Sequence, residues 1–308
     1  MTNSNSYQVF YKAFEFKNCR KSSKARNSGH ATLRTKHFYP PRTLINISRK
    51  EKKKKMTSPP PLHADLTTLA RNLISTGPVK TEPTSRRVRA LFDGTFIFDT
   101  TSAVHVWEHK YFPQFWIPIS EFQPGVLVKG SSFDDQGFAY LGTVKGRVRS
   151  SDRVLVFEKG PLEGLVRVEF GAMDAWFEED QQIYDHPKNP YTRIDILPSS
   201  RRIEVKIGGI TVAECSNPMF LFETGLRTRY YLPKTSVKMQ YLTPSTTTTK
   251  CPYKGKASYY NVVIDGKEHK DLVWWYEYPI TESAAVQGLV CFYNEKVDIY
   301  VDGVLEKK

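Results

Sequence analysis

Ile203-Glu204-Val205-Lys206-Ile207-Gly208-Gly209-Ile210-Thr211-Val212-Ala213-Glu214 is the stretch that decides the fold. Apolar and polar residues alternate on both sides of the glycine pair, which is the period of a half-buried strand, and the two glycines supply the positive φ angles of a two-residue hairpin turn. The same device stands 115 residues earlier, where Val88 to Phe92 and Thr95 to Asp99 flank Asp93-Gly94. Laying residues 85–121 on 200–236 without a gap matches Ser85/Ser200, Arg86/Arg201, Arg87/Arg202, Gly94/Gly209, Glu108/Glu223 and Pro118/Pro233. Conservative replacements fall in the same register: Trp107/Phe222, Phe115/Tyr230, Trp116/Tyr231 and Ile117/Leu232. A module of about 110 residues has been duplicated.

Outward from the hairpins, more strands follow in each copy. In the second, Tyr259 to Ile264 and the segment through Trp274-Trp275-Tyr276 flank Asp265-Gly266, and Val297 to Val301 alternates cleanly; in the first, Arg153 to Phe157 and Leu165 to Phe170 are expected in those places. A helix is expected near Asp174 to Ile183, with Trp176, Phe177 and Ile183 on one face. Another precedes the first copy, where Leu66, Leu69, Ala70, Leu73 and Ile74 fall at helical spacing before Gly77-Pro78. The expected fold is mainly β: two tandem small antiparallel β domains at residues 85–197 and 198–308, a linker with one short helix at 56–84, and a disordered basic tail at 1–55.

The charge sits in that tail. The chain has 308 residues and a net charge of +13, and residues 1–55 carry 15 Lys and Arg against only Glu15 and Glu51, so the remainder is balanced. A folded nucleic-acid surface needs its basic excess on the fold, and nucleic acid is therefore not the expected partner of the folded part. The tail reads as an organelle-targeting leader, as a nuclear or nucleic-acid patch, or as sequence upstream of an ordinary start at Met56. No apolar run is long enough to cross a bilayer. Cys19, Cys215, Cys251 and Cys291 form no C-x-x-C pair, which argues against zinc and a disulfide framework and for a reducing, cytoplasmic setting.

Chemistry-bearing residues crowd into the second copy. Phe222-Glu223-Thr224-Gly225, Arg227, Arg229-Tyr230-Tyr231-Leu232-Pro233 and Lys250-Cys251-Pro252-Tyr253-Lys254-Gly255-Lys256, with Tyr259-Tyr260 beyond, set fixed positive charge among aromatic rings. That combination suits an anionic ligand with a flat ring; equally, alternating basic residues can line a solvent face while the tyrosines cover a core. Cys251 lies three residues before Lys254, whose ammonium would favour the thiolate. Glu223 and its counterpart Glu108 suggest a role common to both copies, with Glu223 expected to pair with Arg229 and a general base as the alternative. His105 and His109 are too far apart on a strand to share a metal, and no metal is expected. His186, in Asp185-His186-Pro187-Lys188-Asn189-Pro190, lies in a loop between the copies, a place for a ligand or simply a turn. Signatures of P-loop, α/β-hydrolase, zincin and Rossmann proteins are missing.

The motif Cys251-Pro252-Tyr253-Lys254-Gly255, with Phe222-Glu223-Thr224-Gly225, Tyr230-Tyr231-Leu232-Pro233, Trp176-Phe177-Glu178-Glu179-Asp180, His186-Pro187, Arg193 to Arg201 and Phe292-Tyr293-Asn294-Glu295, resembles a widespread family of small domains, domain of unknown function 427, in its two-copy form. The family carries a nucleotidyltransferase label. The resemblance implies a β-tent similar to methionine sulfoxide reductase B and the Mss4-like, Rab-interacting proteins, without their zinc cysteines. Cys251, Lys254 and Glu223 are the candidate residues for chemistry. Arg229, Tyr230, Tyr231, Tyr253, Lys254, Tyr259, Asn294, His186 and Arg193 are the candidate contacts for an anionic, nucleotide-like small molecule. Asp195, Glu223 and Glu295 are the acids to test for metal-assisted nucleotidyl transfer. A noncatalytic module presenting Tyr and Trp to a protein, and Cys251 redox chemistry, are the other readings. Aligning Lys145-Gly146-Arg147 with Lys254-Gly255-Lys256 leaves Gly142-Thr143-Val144 opposite Cys251-Pro252-Tyr253, so only the second copy keeps the motif.

Overall fold

Strand pairing in the computed structural model reproduces the repeat almost residue for residue; the structure describes residues 65–132 and 136–308. The expected basic tail, residues 1–55, lies outside the described residues. In the first copy, β1 (Lys80–Pro83), β2 (Val88–Phe92), β3 (Thr95–Thr100), β4 (Val104–Trp107), β5 (Gln114–Pro118), β6 (Leu127–Ser132), β7 (Ala139–Lys145), β8 (Ser150–Phe157), β9 (Leu165–Val168), β10 (Ala175–Glu178) and β11 (Gln181–Ile183) form two antiparallel sheets. Their orders are β1-β4-β5-β9-β8-β7-β6 and β11-β10-β2-β3. The second copy follows with β12 (Ile194–Pro198), β13 (Ile203–Ile207), β14 (Ile210–Cys215), β15 (Met219–Glu223), β16 (Arg229–Leu232), β17 (Leu242–Cys251), β18 (Gly255–Ile264), β19 (Lys267–Pro279), β20 (Val290–Phe292), β21 (Asp298–Val301) and β22 (Val304–Leu305). Its orders are β12-β15-β16-β20-β19-β18-β17 and β14-β13-β21-β22. Each large sheet opens with a strand upstream of Ser85 or Ser200, where the sequence match begins.

Both central hairpins turn as expected. Asp93 and Gly94 have φ of 51° and 73°, and Gly208 and Gly209 have 58° and 83°, the left-handed conformation that a two-residue turn requires and that Gly and Asp tolerate.

Period-two alternation gives the first copy's large sheet two covered faces. Phe115, Ile117, Val154, Val156 and Val166 pack on the small sheet through Val88, Ala90, Phe92 and Trp176. The intervening Trp116, Leu155 and Phe157 pack on Ala70 and Leu73 of α1 (Leu66–Thr76), the expected N-terminal helix. Asp65 caps it, accepting from the Thr67 amide at 3.1 Å, and Gly77 at φ 70° ends it. Each leucine so buried contributes on the order of 2 kcal/mol of hydrophobic stabilisation.

The helix expected near Asp174 to Ile183 is a hairpin. Trp176 and Ile183 share a face because they are cross-strand partners in β10 and β11, around a turn in which Glu179 has φ 50°. This also corrects the assignment of Leu165 to Phe170. β9 takes the place of β20 beside the central strands, and β10 is the counterpart of β21 and hence of Val297 to Val301. The alignment of Lys145-Gly146-Arg147 with the motif fails as well. Leu127↔Val144 and Leu242↔Val262 are equivalent pairs, so the Cys251 to Lys254 turn, between β17 and β18, answers to the β6–β7 connection, while Gly146 belongs to the turn before β8. That connection contains no Cys-Pro-Tyr-Lys-Gly.

Candidate functional site

The site occupies the face of the second large sheet that α1 covers in the first copy. Register fixes the equivalence: Trp116↔Arg167 corresponds to Tyr231↔Cys291, Leu155 to Trp274, and Ala139↔Phe157 to Ala257↔Tyr276. Glu108 corresponds to Glu223. In the first copy this face is apolar apart from one buried ion pair: Glu108 accepts from Arg167 at 2.7 Å and from the Trp116 indole at 3.0 Å. In the second copy it is rich in phenols, the guanidinium position is Cys291, and the cation comes from the motif turn.

Glu223 and Lys254 meet there. The Lys254 Nζ donates to Glu223 Oε2 at 2.6 Å and lies 3.8 Å from Cys251 Sγ, with the Lys254 and Glu223 side chains only 8% and 10% exposed. The expected Glu223–Arg229 pair is not formed. Arg229 instead clamps Glu295 through both terminal nitrogens at 2.9 and 2.8 Å and reaches Asn294 Oδ1 at 3.1 Å. The reason is geometric: the turn after β17 folds Lys254 onto Glu223, where its backbone carbonyl is fixed by the Ile280 amide. Although burial opposes its charge, the neighbouring thiol and carboxylate push the Lys254 ammonium above its ordinary range.

Cys251 is half-buried, and burial pushes its thiol up, outweighing the opposing pull of Lys254. The expected thiolate activation is thus reversed, because burial outweighs the nearby ammonium and the Glu223 carboxylate adds to the upward push. Cys215 and Cys291 are buried in strands.

The aromatic candidates divide into three groups. Tyr231 is in the core and accepts from the Trp274 indole at 3.1 Å; Tyr259 is buried with its hydroxyl 2.8 Å from Thr249 Oγ1. Tyr230 is buried against Phe220 and donates to Glu306, with its phenol pushed up to about 12 chiefly by burial. Tyr253 belongs to the joint between the copies: its hydroxyl accepts the Asn189 amide at 2.8 Å. His186 is in the same joint, stacked on Phe112 at 3.8 Å and donating from Nδ1 to the Pro187 carbonyl at 2.7 Å. Buried there, it is pushed down to about 4, and it packs rather than faces solvent. Asn294 is buried, donating to the Thr228 carbonyl and Glu306, and Arg193 is exposed beside Asp195, with its backbone paired to Thr224 next to Glu223.

Tyr276 escaped the sequence reading. Its hydroxyl is fully buried, has no hydrogen-bond partner among the described residues, and interacts electrostatically with Tyr231, Cys251, Tyr259 and Glu223. The signal was present in Trp274-Trp275-Tyr276, since alternation places Trp274 and Tyr276 on one face.

Among the described residues no three His, Cys, Asp or Glu side chains gather as a metal site. Asp195 is held by Arg193, Glu223 by Lys254 and Glu295 by Arg229, so these acids do not fit a two-metal transferase centre. No helix among the described residues is long and apolar enough to cross a membrane.

Fold and site together define a tandem β protein whose two copies share a scaffold but differ on one face, helix-covered with an Arg–Glu pair in one, phenol-rich with a Lys–Glu pair in the other. Two segments, residues 80–169 and 195–303, match the family described as Domain of unknown function (DUF427), which carries a nucleotidyltransferase label, and the chain belongs to that family. No curated protein matches it.

Proposed function

We propose that the second copy binds an anionic, nucleotide-like small molecule at the face carrying Glu223, Cys251, Lys254 and Tyr276. The observation that carries the reading is the exchange at one register position, Phe157 for Tyr276. An unpaired buried hydroxyl costs about 1–3 kcal/mol, so a fold that already holds phenylalanine there gains nothing from tyrosine unless the hydroxyl meets a ligand. Lys254 supplies the charge, Glu223 holds it in place at 2.6 Å, and half-buried Cys251 marks the approach from solvent. The β-tent, Mss4-like form of each copy belongs to the same proposal, supported by the pairing of a seven-stranded with a four-stranded sheet. A nucleotidyl-transfer step and Cys251 redox chemistry are not part of it, given the paired acids and the raised thiol.

The experiment is a thermal-shift screen against nucleotides and other phosphorylated metabolites, with iodoacetamide labelling of Cys251 as the local readout. A ligand that raises the melting temperature and shields Cys251 supports the site, and Tyr276→Phe is expected to weaken it. A panel without a stabilising compound that shields Cys251 overturns it. A protein-recognition role draws on one observation, the exposure of Phe222 and Leu226 (42% and 45%) on either side of Glu223 in sequence. The tryptophans cannot present such a surface, since four are buried and Trp275 is half-buried.

A further inference from the structure

The two copies also differ where the central hairpin meets the end of the large sheet. In the first copy Asp93, at the hairpin turn, accepts from the backbone amides of Val148 and Arg149, and its own amide donates to Asp174 at 2.7 Å. Arg149 closes the network on Asp174 at 2.7 and 2.9 Å and lies over Phe92. The closure is tight: a Cβ on Gly146 would stand 2.4 Å from the Asp93 Cβ. Every element of this lock is missing from the second copy. Gly208 stands for Asp93 and Val297 for Asp174, and a two-residue turn, Asp265-Gly266, replaces the four residues before β8. A Cβ on Gly208 would meet nothing within 4 Å.

What the lock fills in one copy is a groove of about 450 Å³ in the other, with Lys206, Lys267, His269 and Lys296 around a floor that includes Ile210 and Val297. The acid Asp298 is neutralised by Lys308 at 2.7 Å, leaving Asp265 as the opposing charge on the rim. Lys206 is shared with Glu204 at 3.2 Å and Lys296 lies over Tyr293, but among the described residues Lys267 and His269 have no side-chain partner. The volume is that of a small-molecule site, and cations over an apolar floor recognise a phosphate attached to an apolar or flat body.

We infer that this groove is a second binding site, for a phosphorylated small molecule of nucleotide size, opened in the second copy by loss of the Asp93–Arg149–Asp174 lock. It shares no lining residue with the Glu223–Lys254 site and stands independently of it. The test is calorimetric titration of the whole protein with adenosine diphosphate, with pyrophosphate and adenosine as the two halves of the probe. Gly208→Asp restores the first copy's residue at a φ that Asp93 already adopts, so the backbone accepts it. Lys267→Glu reverses the unpartnered charge without touching the core. Each is expected to weaken diphosphate binding at least tenfold while leaving the melting temperature within a few degrees. Binding unaffected by Gly208→Asp, or no binding of adenosine diphosphate or pyrophosphate by the unaltered protein, overturns the inference.

Discussion

Glu223 takes its positive partner from Lys254, 2.6 Å away on a turn, whereas Glu108, at the same place in the other copy, takes Arg167, 2.7 Å away on a strand two places across the sheet. One acid position has been kept and its cation exchanged, from a rigid guanidinium within the sheet to an ammonium delivered by the Cys-Pro-Tyr-Lys turn. The exchange joins the charge of the face to the conformation of that turn, and removes the side chain that would otherwise fill the centre of the sheet.

Lys254→Met leaves Glu223 buried without its cation. Removing one partner of a buried ion pair costs about 3–5 kcal/mol. Urea unfolding is expected to show a loss of that order, and the double variant Glu223→Leu/Lys254→Met to recover most of it, because the pair's own desolvation is then no longer incurred. Additive losses would mean that the two charges act separately.

Tyr276→Phe in the free protein is expected to be stabilising by about 1–3 kcal/mol, since it removes a buried hydroxyl that has no partner. A loss above 2 kcal/mol in urea would show that the hydroxyl is satisfied in solution.

How far the sequence could be read follows from which contacts are local. Hairpins built on Asp93-Gly94 and Gly208-Gly209 depend on adjacent residues and were legible, as was α1. Trp176 and Ile183 misled because seven residues bring side chains together both on a helix and across this tight hairpin. Glu223, Cys251 and Lys254, singled out in the sequence, are brought together by the fold. Their pairing was not legible, because Arg229 and Lys254 are both within reach of an acid in sequence terms, and the fold of the turn after β17 decides between them.

Cys251 should alkylate no faster than an ordinary thiol at neutral pH, since burial raises its pKa. Glu223→Gln removes a nearby negative charge and releases the Lys254 ammonium, so it is expected to speed the reaction with iodoacetamide severalfold. A slower reaction in that variant would contradict the electrostatic picture.

Buried neutral histidines contribute to the response to acid. His105 and His186 are both pushed down to about 4 by burial. Between their ordinary value of 6.5 and about 4 the unfolded chain takes up protons that the folded one refuses, so stability is present above pH 6.5 and is lost as pH falls through this window. Asp185 acts in the opposite sense: burial raises it from 3.8 to about 6, so its penalty grows as pH rises through that interval. His186→Gln should flatten the fall in melting temperature between pH 6.5 and 4. Asp185→Asn, which tolerates the φ of 72° at that position, should add up to about 3 kcal/mol at pH 7 and little at pH 4. An unchanged pH profile in both variants would remove these groups from the account.

Gly146 and Gly208 should respond to alanine for different reasons. At Gly146 the new Cβ would lie 2.4 Å from the Asp93 Cβ, within a hydrogen-bonded turn that has no free direction in which to yield. Gly146→Ala is therefore expected to cost about 2–3 kcal/mol, in the range of overpacking, and to break the Arg149–Asp174 contact with it. Gly208→Ala meets no atom within 4 Å and incurs only the left-handed backbone at φ 58°, about 1 kcal/mol. Thermal melts of the two variants separate these cases: the first should fall by several degrees and the second by two or three. Equal losses would mean that the second copy's hairpin end is as closely packed as the first, and would leave no room there for the groove.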